Sequence, residues 1–237
     1  MALPDALKSR RAAAVMVAAL AGLAVLAAVL ASRLPFHSTK RDKAALASTA
    51  TAAAKEKIRL SAADTAAARA VLIRRSDLTP SQGWQGGPVK PDLSEIVCPY
   101  HHPKYSDLVL TGAAENDWER PELNIISLAN VLQSESMVRR DIRRTATLAG
   151  FRCSLESSGL ENVAAASVPF PKFTDQTTAW RGTYTLRGHK QVIEAVYIGS
   201  GRTEIAVAAI AAAGTPADPL HNRLVQAALI MFSRVRV

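Results

Sequence analysis

The 237-residue chain has few aromatics, 5% of its residues, and only two cysteines. Two cysteines cannot staple a disulfide-dense mini-protein or build a structural zinc ribbon. Several signatures of chemistry are missing too. There is no Gly-x-Ser-x-Gly elbow, no Walker loop and no dinucleotide fingerprint. The stretch Gly83–Pro88 is rich in glycine but lacks the Lys-Ser/Thr of a phosphate-binding loop. No lipobox cysteine follows the first apolar run, so lipid anchoring is not supported. Apolar residues are plentiful at 49%, and alanine dominates them, which rules out disorder and collagen-like repeats for most of the chain.

Charge is unevenly spread. Residues 1–43 hold seven Lys/Arg and two Asp/Glu, whereas the remaining residues hold 22 against 18. More than half of the net +9 therefore sits in the first fifth of the chain. Within that fifth, Ala12–Ser32 is an uncharged run flanked by Lys8, Arg10 and Arg11 before it and Arg33 after it. As a helix it reaches about 31 Å, the thickness of a hydrocarbon core. A signal peptide is the competing reading, but its apolar region is usually shorter, about 7–15 residues. Lys40, Arg41 and Lys43 nearly balance the positive-inside count. Large carboxy-terminal domains translocate largely regardless of local charge, which favours an inside N-terminus.

The expected organisation is a cytoplasmic tail over 1–11, a transmembrane helix over 12–32, an Ala-rich stalk over 33–60 and an extracytoplasmic domain over 61–237. In the stalk, Ala44–Ala54 holds one Leu and no other large apolar residue, so it has no face to bury.

In the body, Ser61 reads as the N-cap of a helix running to Leu78, with Thr79-Pro80 ending it. Gly83–Pro88 reads as a loop. Glu95–Cys98, Asp107–Thr111 and Leu123–Leu132 read as strands, and the acidic stretch Gly112–Glu122 as a turn. Ser134–Ala149 reads as one helix capped by Gly150. Thr178–Arg187, Gln191–Ile198 and Thr203–Ala213 have the length and turn spacing of a β-meander. The third is apolar on both faces, as a central strand should be. About Ala217–Arg234, Leu220, Leu224, Ala228 and Met231 recur at helical spacing. Antiparallel strand runs interrupted by helices predict an α+β class, a sheet packed by helices as an α/β/α sandwich.

Three features together resemble membrane-anchored extracytoplasmic domains of high-GC bacteria, of the PsbP-like lipoprotein and receptor Ser/Thr-kinase sensor type. They are Ser76-Asp77-Leu78 leading to Trp84, the segment Asp107–Gly112, and Glu194–Ile210 followed by a terminal helix. The resemblance implies an antiparallel sheet packed by helices and a binding or scaffolding role without catalysis. No kinase pattern is read in the sequence, so signalling through a fused kinase is not expected.

Candidate chemistry is sparse. Cys98-Pro99-Tyr100-His101-His102 puts a thiol and two imidazoles together, but adjacent histidines point opposite ways in a strand, so loop histidines are the expected reading. Ser200 in Gly199-Ser200-Gly201 reads as a turn residue. Glu115, Asp117, Glu119 and Glu122 lack the spacing of a calcium loop and read as solvated. Arg139, Arg140, Arg143 and Arg144 share a helix face and are candidates for contact with an anionic surface. Cys98 and Cys153, the only two cysteines, are expected to form a disulfide, which an extracytoplasmic compartment preserves. Two inert thiols, or a reactive Cys98 beside His101, are the alternatives.

The expectation is thus a non-enzymatic, single-pass envelope protein without cofactors. Its partners are the lipid bilayer and an envelope protein or small ligand, and not nucleic acid. The alternative is a structural subunit of an envelope or secretion assembly.

Overall fold

The computed structural model describes residues 58–79, 82–91, 93 and 98–235. The tail, the apolar run 12–32 and most of the stalk lie outside these residues. Among the described residues no helix is long and apolar enough to cross a membrane.

The chain forms a three-layer α+β sandwich. Helix α1 (Ala62–Val71) and a 3₁₀ turn (Arg75–Asp77) lead into strands β1 (Gln85–Val89), β2 (Leu110–Arg120) and β3 (Leu123–Leu132). Helices α2 (Glu135–Thr145) and α3 (Leu148–Ser157) follow. Then come β4 (Glu161–Ser167), β5 (Thr177–Leu186), β6 (His189–Ser200), β7 (Thr203–Ala212) and the long helix α4 (Ala217–Arg234). All pairings are antiparallel, and the seven strands lie in the order β1-β2-β3-β7-β6-β5-β4.

Strand β7 occupies the middle because both of its faces are apolar. Ile205, Val207, Ala209 and Ala211 face the layer of α1 and α4. Ala206, Ala208 and Ile210 face the layer of α2 and α3. Helix α4 buries Leu220, Leu224, Ala228 and Met231, the residues whose spacing announces it. Its N-cap is Pro216, and Pro219 falls in the first turn, where a missing N–H costs nothing. Ser61 caps α1 by accepting the Asp64 N–H at 3.0 Å.

Four local expectations are corrected. Helix α1 ends at Val71, not Leu78, because Ile73 turns its carbonyl to the sheet, accepting from Asn116 Nδ2 at 2.7 Å and Trp118 Nε1 at 2.9 Å. Gly83–Pro88 is a loop only at its start, since from Gln85 the chain forms an edge strand. Gly86 there has φ +111°, and a Cβ on it would strike the carbonyl of Asp117. Gly112–Arg120 is strand, not turn. Its acids alternate with Ala114, Asn116 and Trp118, and this period of two outweighs the charge. Finally, Ser134–Ala149 is two helices, and Gly150 lies inside the second, where a Cβ would meet the Thr145 carbonyl.

Two further features go beyond the expected elements. Ile58 bridges Leu110, and the N–H groups of Arg59 and Ser61 donate to the carbonyls of Leu110 and Thr111 at 2.8 Å each, which ties residues 58–61 to the start of β2. Strand β4 falls in a stretch of small residues with no strong pattern.

Truncating Leu224, fully buried beneath α4, should cost about 2–5 kcal/mol in a urea melt. Leu229→Ala, on the same helix but 48% exposed, should change stability by less than about 0.5 kcal/mol.

Candidate functional site

Most of the polar residues singled out in the sequence gather at one corner, where segment 98–109 lies against α2 and α3. Cys98 and Cys153 are bonded there, with Cα atoms 5.9 Å apart, both sulfurs buried in the apolar layer. The bond ties a short turn, closed by His101 N–H to the Cys98 carbonyl at 3.3 Å, to the middle of α3. Tyr100 adds a second tie, donating to Glu156 Oε2 at 2.6 Å, while Arg152 pairs with Glu156 at 2.6 Å and lies over the Tyr100 ring. Burial, reinforced by the Glu156 carboxylate, pushes the Tyr100 hydroxyl up to about 12.

The histidines separate. His101 turns inward toward Gly150, and burial holds it below its ordinary value, with His102 adding repulsion. His102 meets the Pro99 carbonyl at 3.2 Å. Among the described residues no group of three or more His, Cys, Asp or Glu side chains is placed to hold a metal ion. Ser200 ends β6 beside Gly201, whose φ of +54° makes the turn.

The four arginines of α2 divide into two pairs. Arg144 makes a two-pronged contact with Asp107, at 2.7 and 3.0 Å, and also donates to the Lys104 carbonyl at 2.7 Å. Arg140 lies 3.8 Å from the same carboxylate. The Arg144 hydrogen bonds hold Asp107 down to about 2. These two arginines therefore pin segment 98–109. Arg139 and Arg143 are exposed, and Arg139 pairs with Glu135 one turn earlier.

The acids of β2 are not a solvated loop. Glu115 is buried, and burial pushes Asp117 up to about 7, with Glu119 adding repulsion.

Two further polar clusters escape the sequence reading. Beneath α2, the carboxyl groups of Asp141 and Glu204 lie side by side, 0% and 4% exposed. Asn130 stands opposite Glu204 in the β3–β7 pair, and Thr145 Oγ1 donates to Asp141 at 3.1 Å. Burial holds both groups above the carboxylate range, and the neighbouring Asp141 raises Glu204 further. On the opposite face Glu194, fully buried, is ion-paired with Arg181 and lies 3.2 Å from His221 Nδ1. His221 sits edge-on to Phe170, ring centroids 5.5 Å apart. A faint signal exists for the first pair: Asp141 falls on the buried stripe of Val138, Ile142 and Thr145, and Glu204 is the one charged residue of a strand that is otherwise apolar after Thr203.

Neither cluster is open to a substrate, for the acids at both centres are covered. A cleft between α4 and the segment after α1, lined by Ile73, Trp84, Arg223 and Ile230, holds about 40 Å³. That is room for a few waters, against about 300–1,000 Å³ for ordinary ligand pockets.

The fold and this disulfide-held corner define an antiparallel α+β sandwich domain. No family model and no curated protein matches the sequence. The structure is similar to the extracellular domain of PknH from Mycobacterium tuberculosis, at 13% identity and TM-score 0.47, covering 72% of this chain and 95% of that one. It is also similar to LpqN, involved in cell envelope biogenesis of the same organism. That likeness has 14% identity and TM-score 0.26, covering 68% of this chain and 95% of LpqN. Neither singles out the PsbP-like part of the resemblance.

Raised carboxyl values in the fold mean that the native state holds protons the unfolded chain has lost. The stability they supply is complete below the unfolded carboxyl range of about 4 and declines as pH rises toward the folded values. Stability should therefore fall between pH 5 and 8, and Glu204→Gln, which keeps the shape and removes one titration, should flatten that fall. Urea midpoints at both pH values read this, and a parallel fall in the variant counts against a raised Glu204 carboxyl.

Proposed function

We propose that the chain is a single-pass membrane-anchored protein, N-terminus inside, whose domain lies outside the membrane and works by binding rather than by catalysis. The observation that carries this reading is the Cys98–Cys153 bond, which uses both cysteines of the chain. Such bonds persist in oxidising compartments and are rare in reducing ones. The uncharged run 12–32 supports the anchor. The partner class is an envelope protein or small ligand met at the domain surface, with no role for nucleic acid. Arg139 and Arg143 are the arginines of α2 left to touch an anionic surface, a contact that salt would screen. A structural subunit of an envelope or secretion assembly is the second reading, favoured by the open sheet edge at β4.

Two measurements test location and bond together. A reporter active only outside the membrane, fused after Val237, should be active, and silence reverses the orientation. Denatured protein recovered from the envelope and alkylated should gain no alkyl groups before reduction and two after it. Two groups gained before reduction remove both the bond and its support for an outside location.

A further inference from the structure

Strand β4 is the outermost strand at one side of the sheet, and most of its residues are exposed. The Val168 N–H donates to the Ala179 carbonyl of β5 at 3.2 Å. In an antiparallel ladder such bonds recur at every second residue, so Ala166 and Ala164 also bond to their partners Arg181 and Thr183. The N–H and C=O groups of Ala165 and Ser167 therefore point away from the sheet. They are a template for another strand.

The two edges of the sheet differ. Strand β1 carries Gly86 and Gly87 at φ +111° and +156°, then Pro88, and such a backbone resists further pairing. From Ala164 to Val168, β4 has no proline, no charge and no side chain larger than valine. A register shift near Glu161 and the positive φ of Asn162 bound this stretch on one side, and Pro169 bounds it on the other.

We propose that β4 joins two copies of this chain, edge to edge and antiparallel, about a two-fold axis at Ala166. In that register Ala165 of each copy faces Ser167 of the other, and their free groups are satisfied by about four hydrogen bonds. The occupant is a second copy for two reasons. The segment is uncharged in a chain of net +9, so no like charges meet at the axis. Among the described residues each chain also offers one such edge, so pairing consumes both and leaves the proline-bearing β1 at either end, an assembly closed at two. The pairing brings the exposed Ala164, Ala166 and Thr183 of both copies onto one continuous floor beside the α4 helices.

The full-length chain in detergent tests this. Ala166→Cys introduces a free thiol, since Cys98 and Cys153 are bonded to each other. At the axis two such residues lie about 4.5 Å apart by Cα, within disulfide reach. Mild oxidation should give a reductant-sensitive species of twice the chain mass. Val89→Cys, on the opposite edge, should give none. Adding Ser167→Pro to Ala166→Cys removes an outward N–H while sparing the bonds to β5, and should cut the cross-link by about tenfold with an unchanged thermal melt. A folded Ala166→Cys variant that stays monomeric overturns the proposal. So does equal cross-linking by Val89→Cys, or capture of a chain of different mass, which would assign the edge to another protein.

Discussion

Everything in this domain follows from a sheet whose middle strands are covered on both faces. Strand β7 and its neighbours β3 and β6 lie under helices on either side, so they have no solvent face on which to place polar residues. Alanine answers the geometry of this constraint. With Ala206, Ala208, Ala209 and Ala211 on β7, the helices come close to the sheet, and bulk is supplied by Ile205, Val207 and Ile210. The scarcity of aromatics is the compositional mark of that arrangement.

A dry centre makes each enclosed charge a problem, and the two faces solve it differently. Glu194 is ion-paired with Arg181 and lies beside His221 at the rim, where both partners remain about a third exposed. Glu204 instead lies beside the carboxyl of Asp141, and burial pushes both above the carboxylate range. The first solution tolerates water at its edge, whereas the second needs the helix above it to stay closed. Helix α2 is accordingly fastened at its exposed side by Asp107, which Arg140 and Arg144 approach together.

Much of this architecture is legible in the sequence where pattern and burial agree. Leu123–Leu132, the meander over 177–212 and the stripe of α4 read directly, because each buries a regular set of apolar residues. The Cys98–Cys153 pairing is legible by arithmetic alone. What misleads is local chemistry overruled by tertiary contact. The acids of β2 look like a turn until Trp118 and Asn116 are seen reaching the Ile73 carbonyl. Gly150 looks like a helix end, yet it serves close approach to Thr145 and His101. Arg139 to Arg144 read as one cationic face, and only the distant Asp107 divides them. Asp141 and Glu204 are 63 residues apart, and no local pattern pairs them.

The disulfide also sets a mechanical limit. Cys98 and Cys153 enclose 55 residues of sequence separation, including β2, β3 and α2. At about 3.3–3.6 Å per extended residue, that is roughly 190 Å of contour that tension cannot draw out while the bond holds. A pull between the two ends of the domain peels the outer strands and helices, but passes across the sulfurs and leaves the β2–β3 hairpin unloaded. Extension thus has a hard stop, and the redox state of one bond decides where it falls.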